Sequence, residues 1–302
     1  MKYKLPITFL LILFSITTSA DILFSDSFES KDMSAPDNQP DSTNLINFNW
    51  ERNNSTSVVS MDPESVAVYN NKSIYNVQPG NDWNAKDGKY SLRFRYAAGS
   101  NMAEQRFNFT PQKDLWIRYW IRVPVNFYHG NLNNKFFAIY GSAYDGDSDV
   151  TWQTRPLANG NAELRVQDGG VQSGELLPAP FINRDTDLGR WMQIVIHVKN
   201  ATSSSSNDGI IQLWRRWEDE SSFTNLHDKQ DAIRQWEPGT LGYRAGYFKG
   251  WANDPYNADT EWLVDTVEFA NDSLLTPTDA PTEKAKANPP SNLNTRPITA
   301  TN

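Results

Sequence analysis

Alternation with a period of two, repeated in segment after segment, limits what this chain can fold into more than any other property of its sequence. Tyr90, Leu92, Phe94 and Tyr96 alternate with Ser91, Arg93 and Arg95. Leu115, Ile117, Tyr119 and Ile121 share one face of a segment whose other face carries Trp116, Arg118, Trp120 and Arg122. Between Arg190 and Lys199, Met192, Ile194, Ile196 and Val198 alternate with Trp191, Gln193, Val195 and His197. Successive side chains of a strand point to opposite faces, so each segment reads as a strand with one face buried. Ile210 to Trp214, Tyr243 to Phe248 and Trp262 to Phe269 read as further strands, set between Gly, Asn and Asp turns. Helical periodicity is scarce, and Asp228 to Trp236 is its best candidate. Many strands with polar turns make an all-β sandwich rather than a βαβ fold.

The 302 residues, 38% of them hydrophobic and 13% aromatic, suffice for one large sandwich with its own core. A formal charge of −8 argues against nucleic-acid binding by bulk electrostatics. With no cysteine, neither a disulfide framework nor a thiolate metal site is available. Lys2 and Lys4 precede an apolar run from Leu5 to Ile16, and Thr18-Ser19-Ala20 supplies small residues for cleavage before Asp21. The run is short of the roughly 20 residues of a membrane-spanning helix. Residues 1–20 are therefore expected to be a signal peptide, and the protein to be secreted or periplasmic, with no membrane span after cleavage. From Leu275 the chain turns to Pro, Thr and Asn, with Pro277, Pro281, Pro289, Pro290 and Pro297. Residues 275–302 read as a disordered tail, or as a linker to a further domain, and residues 21–274 as the folded domain.

The polar faces of the strands are unusually cationic and amide-rich for an acidic protein. They present Arg118 and Arg122, Lys135, Gln153 and Arg155, Glu163, Arg165 and Gln167, then Gln193, His197 and Lys199. If these strands are neighbours in one sheet, that sheet offers a basic groove interleaved with Trp116, Trp120 and Trp191. Such a groove suits sugars: rings stack on pyranose C–H faces, amides meet hydroxyls, and guanidinium groups hold uronate oxygens in pairs. The plainer reading is a solvated outer face laced with charges.

Asn134 to Gly141, preceded by Leu115 to Val123, resembles the strand pair of concanavalin A-like polysaccharide lyases of the alginate- and glucuronan-degrading group. Gly189-Arg190-Trp191, Asn207 to Trp214, Gly246 to Trp251 and Thr260 to Val267 resemble later segments of that group in the same order. The resemblance spans Leu115 to Ala270 in short pieces. It implies a jelly-roll β-sandwich of two antiparallel sheets with a concave groove, and cleavage of a uronate polymer by β-elimination. The family's groove lysine matches Lys135, and an arginine on its next strand matches Arg155. Gln153 stands where the family has serine, and no Tyr-x-Tyr pair occurs between Ala162 and Gln167. Elimination needs a base for the proton beside the carboxylate, an acid for the leaving oxygen, and cations or amides for the intermediate. Tyr247, in a Tyr-Phe-Lys segment like that of related alginate lyases, Tyr243 and His197 are the candidates for proton transfer. Arg118, Trp120, Arg122, Gln153, Arg165, Gln167, Gln193 and Lys249 are the candidates for binding. Plainer roles are structural hydrogen bonding for His197, core or rim packing for the tyrosines, and edge protection for Lys135.

No Glu-x-Asp-x-x-Glu pattern of a paired-carboxylate hydrolase is present. Asp145, Asp147 and Asp149 form a loop of hard oxygen ligands, but Val150 and Pro156 stand where an EF-hand needs Gly and Glu. Asp26 and Glu29 with Asp265 are a second candidate set. Calcium is the structural ion either would take; turn capping is the ordinary use of such residues, and the chemistry requires no cofactor. The expected partner is a polysaccharide, anionic in character. Two functional classes stay open, a lyase and a non-catalytic lectin-like module, and the sequence fixes no oligomeric state.

Overall fold

The computed structural model describes residues 20–33, 36, 42–62, 68–69, 72–73, 82–127, 132–141, 150–167, 177–203, 205–232 and 242–276. Residues 1–19 of the expected signal peptide at 1–20, residues 277–302 of the expected tail at 275–302, and Asp145, Asp147 and Asp149 lie outside these residues.

The strands are, in order, β1 (Ile22–Asp26), β2 (Thr43–Asn44), β3 (Asn49–Asn54), β4 (Thr56–Ser60), β5 (Val68–Tyr69) and β6 (Lys72–Ser73). There follow β7 (Tyr90–Tyr96), β8 (Met102–Gln112), β9 (Asp114–Arg122), β10 (Asn134–Tyr140), β11 (Val150–Pro156) and β12 (Ala162–Gln167). The last are β13 (Ala179–Ile182), β14 (Trp191–Lys199), β15 (Gly209–Trp217), β16 (Thr224–Ala232), β17 (Tyr243–Trp251) and β18 (Thr260–Ala270). Two antiparallel sheets dominate. The larger, of nine strands, runs β16-β15-β14-β9-β18-β1-β2, with β7 on β18 and β4 on β7. The smaller, of seven, runs β13-β12-β11-β10-β17-β8-β3. Strands far apart in sequence lie side by side in both, as in a jelly-roll sandwich. Among the described residues no helix is long and apolar enough to cross a membrane.

The alternation read from the sequence survives as β7, β9, β14, β15, β17 and β18, with ends moved by a few residues. Asp228 to Trp236, expected to be helical, is not: Asp228 to Ala232 lie in β16, and the remainder is outside the described residues. β16 is an edge strand whose pairing with β15 fixes its conformation, whatever its local propensity. Its exposed Asp228, Gln230 and Asp231 discourage pairing with another chain. β8 had no counterpart in the sequence reading.

Aromatic rings from both sheets fill the space between them. Phe24 of β1 stacks on Phe48 at 3.7 Å between centroids. Phe48 meets Phe269 of β18 at 5.1 Å. Phe107 of β8 lies 5.4 Å from Phe248 of β17, which lies 5.2 Å from Phe137 of β10. Each such ring withdraws on the order of 150–250 Å² from water, so this layer is the main drive to pair the sheets. The high aromatic content thus serves the core first.

Candidate functional site

The outer face of the smaller sheet is set by β10 and β17. Phe137, Ile139 and Phe248 point into the core, while Ala138, Tyr140, Ala245 and Tyr247 form a separate buried cluster on the opposite side. Ala138 pairs with Tyr247 and Tyr140 with Ala245, so two tyrosines stand beside two alanines on neighbouring strands. Their ring centroids are 6.0 Å apart. Small residues there leave room above the backbone for the phenols.

Two irregularities bring Lys135 to this pair. In β10 the register with β11 shifts between Lys135 and Phe137, so Phe136 and Phe137 both face the core and Lys135 faces out. In β17, Lys249 has φ 59° and Gly250 φ 130°, which carries Lys249 inward and leaves Gly250 under the ring of Tyr247. Bulges of this kind re-aim side chains beside functional sites. The Lys135 ammonium lies 5.6 Å from the centroid of the Tyr247 ring.

The register extends the face to either side. Gln153 pairs with Lys135 and Arg165 with Gln153, forming a row of donors across β10, β11 and β12. Thr151 pairs with Ala138, and Arg106 of β8 with Tyr247. Glu163 is shared by Arg155 at 3.3 Å and Arg165 at 3.1 Å, and Glu104 takes Arg106. Lys135 forms no ion pair among the described residues, so the middle of the face keeps a positive surplus. The Tyr247 phenol is held far above the usual tyrosine range by burial first, then by Tyr140 beside it, with Thr151 opposing. It is protonated at neutral pH.

The structure therefore unites Lys135, Gln153, Arg155, Arg165 and Tyr247. Gln167 is on the same sheet, paired in register with Thr151. The remaining candidates are elsewhere, and the single basic groove expected from the sequence divides between two sheets. Arg118, Trp120, Arg122, Gln193 and His197 belong to β9 and β14 of the larger sheet, on the far side of the core. There they are held by neighbours. Arg118 donates to Glu268 and to the carbonyls of Leu274 and Thr276. Arg122 donates to Gly189 and Asp82. Gln193 accepts from Arg216, which lies over Trp120. His197 stacks on Trp116 at 4.0 Å and bonds Gln212 and Asp114. It is the structural residue of the plainer reading. Tyr243 and Lys249 point into the core rather than the face.

Tyr140, Thr151, Glu104 and Arg106 were missed. Alternation from Ala138 places Tyr140 outward, and Arg106 and Asn108 alternate with Phe107 and Phe109. Only the pairing of β10 and β8 with β17 makes these positions a site.

The terminal strands enclose a cavity of about 420 Å³ lined by Asp26 and Glu29, but Asp265 does not line it. Asp26 accepts from Phe28 N–H and Trp50 Nε1, Glu29 from Lys89 and Tyr90 N–H, and Asp265 from Lys86 and Asp87 N–H. Burial pushes Asp26 up to about 7 and Asp265 up to about 8, against the hydrogen-bond donors around each that lower them. Among the described residues no three His, Cys, Asp or Glu side chains are grouped to hold a metal ion.

No protein-family model matches the chain, and no curated protein matches it in sequence. Solved structures do resemble it. A mutant alginate lyase in complex with an alginate tetrasaccharide is similar at 12% identity over 61% of this chain and 82% of that one, TM-score 0.45. An endo-β-1,4-glucuronan lyase from the fungus Trichoderma reesei is similar at 10% identity over 74% and 91%, TM-score 0.44. An alginate lyase from a Chlorella virus is similar at 10% identity over 70% and 90%, TM-score 0.40. The jelly-roll sandwich itself stands on the strand order and register described above.

Proposed function

We propose that the outer face of the smaller sheet binds an anionic polysaccharide and cleaves it by β-elimination. One observation carries this reading: the Tyr140–Tyr247 pair stands beside an ammonium with no carboxylate partner, Lys135, within a row of amide and guanidinium donors. Lys135 and the Gln153–Arg165 row would hold the uronate carboxylate and neutralise charge that develops when its α-proton leaves. Tyr247, protonated at neutral pH, is the donor to the leaving glycosidic oxygen, and Tyr140, ionised to its phenolate, takes the carbon-bound proton and becomes a phenol. Electrons then pass from the broken C–H bond into the new C=C bond as the C–O bond opens. The family resemblance points to the same chemistry, although its Tyr-x-Tyr pair is replaced here by tyrosines on two different strands.

The burial of Tyr247, 2% exposed, favours a second reading: binding without cleavage. The two separate cleanly. The mature protein is incubated with alginate and with glucuronan while ultraviolet absorbance of the unsaturated product is followed. Rising absorbance that disappears in Tyr247→Phe supports the lyase. Flat traces with retarded migration in a polysaccharide-containing gel establish the binding module, and neither signal removes both.

A further inference from the structure

Among the described residues one aromatic side chain is exposed: Trp251, the last residue of β17, at 43%. Its indole makes no hydrogen bond and no ring contact among those residues. By contrast, the indole N–H groups of Trp50, Trp83 and Trp152 have acceptors in Asp26, Glu261 and His227. A single exposed apolar side chain is ordinary on a protein surface, so what matters is where this ring stands. Register puts it beside Lys135. Ala252 bridges Asn134, and both are buried, at 0% and 1%. Trp251 and Lys135, the adjoining residues on the two facing antiparallel segments, are therefore cross-strand neighbours on the outer face. On its other flank Trp251 pairs with Met102 of β8, next to the core residue Ala103. The two strands are close here: a Cβ on Gly250 would lie 3.3 Å from the Lys135 Cβ.

The donor row of Arg165, Gln153 and Lys135 thus continues onto an indole, with one residue from each of β12, β11, β10 and β17. Neighbouring strands are about 4.8 Å apart, close to the length of one pyranose unit in an extended polymer. An aromatic face takes the C–H face of a pyranose, while ammonium, amide and guanidinium groups take carboxylates and hydroxyls. We propose that Trp251 stacks a sugar ring next to the uronate held by Lys135, and that the polymer crosses the strands from β17 towards β12. This deepens the function proposed above and rests on it for the uronate.

Tetraglucuronate and tetramannuronate are titrated by calorimetry into the mature protein and into Trp251→Ala and Trp251→Phe. The expected result is saturable binding of at least one of them, weakened about five- to tenfold in Trp251→Ala and largely regained in Trp251→Phe. The ratio of wild type to Trp251→Ala should hold as ionic strength rises, because stacking is not screened as charge is. In the wild type, which needs no variant to fold, the bound tetrasaccharide should also shield indole fluorescence from acrylamide. Unaltered quenching overturns the proposal, as does Trp251→Ala binding like the wild type, or Trp251→Phe binding no better than Trp251→Ala. Unsaturated product with binding indifferent to Trp251 would keep the lyase and remove this subsite. A flat ultraviolet trace with the aromatic dependence intact would remove the lyase and keep the subsite, and no binding of either tetrasaccharide removes both.

Discussion

Lys249 shows how much one residue can be asked to bear. It is fully buried, its ammonium nitrogen has no hydrogen-bond partner, and it lies 3.7 Å from the centroid of Trp262. A cation on an indole face gains about 0.5–2 kcal/mol, whereas an unpaired buried charge costs several kcal/mol. Desolvation wins, and the Lys249 pKa falls well below the lysine range. Lys249→Met, similar in length and apolar, should therefore stabilise the protein by about 1–3 kcal/mol at neutral pH, measured by urea denaturation. His227 gives a pH effect of defined sign. Burial lowers its pKa from 6.5 to about 4, and Trp152 Nε1 donates to its Nδ1. Its stabilising share is complete above pH 6.5 and is lost as pH falls towards 4. Asp26 and Asp265, with raised values, act oppositely: their share is present below about pH 4 and is lost as pH rises through about 7 and about 8. The whole-protein curve mixes these trends. The difference between wild type and His227→Gln should isolate the histidine, shrinking between pH 7 and pH 4; a constant difference would contradict it.

Elements, rather than single residues, aim the candidate site. The bulges in β10 and β17 break strict alternation, so Lys135 and Tyr247 meet over Gly250. A Cβ on Gly250 would sit 2.9 Å from the Tyr247 ring and 3.3 Å from the Lys135 Cβ, at a φ of 130° that side chains resist. Gly99, at φ 78°, has nothing within 4 Å of the same position. Gly99→Ala should thus cost about 1 kcal/mol from the backbone alone, and Gly250→Ala more, about 2–4 kcal/mol, because strain and a clash combine. Gly250→Ala should also impair polymer binding or cleavage while Gly99→Ala leaves it intact. Equal melting temperatures for the two variants would show that the β17 bulge can relax.

At the scale of the molecule, an acidic chain leaves Lys135 without an ion pair, among the described residues, on the outer face of its smaller sheet. Arg118 and Arg122 of the larger sheet are tied to carbonyls and carboxylates, whereas Lys135 has no ion pair among the described residues and Arg155 and Arg165 share Glu163. Retardation by alginate in gels should accordingly weaken with salt, since exposed charges are screened over about 8 Å at physiological ionic strength. Lys135→Ala should lower affinity about five- to tenfold, while Arg122→Ala, on the opposite sheet, should leave it unchanged. Equal losses would mean that the polymer is bound by diffuse charge and not by this face.

The sequence by itself determined the all-β class, most of the long strands and the inward face of each, because alternation is local and the backbone geometry of a strand converts it directly into sides. It also singled out Lys135, Gln153, Arg155, Arg165 and Tyr247, which the sheet does bring together. What alternation cannot encode is which strands become neighbours. Arg118 and His197 look like companions of Lys135 along the chain, yet β9 and β14 pair with β18 and β15, and the aromatic layer separates them from β10. Strand pairing is decided by contacts between segments remote in sequence, here the Phe24, Phe48, Phe107 and Phe248 layer. Tyr140 and Arg106 therefore became partners of Tyr247 only through tertiary structure. The inward turn of Lys249 likewise depends on a bulge at one backbone position, which no period-two pattern contains.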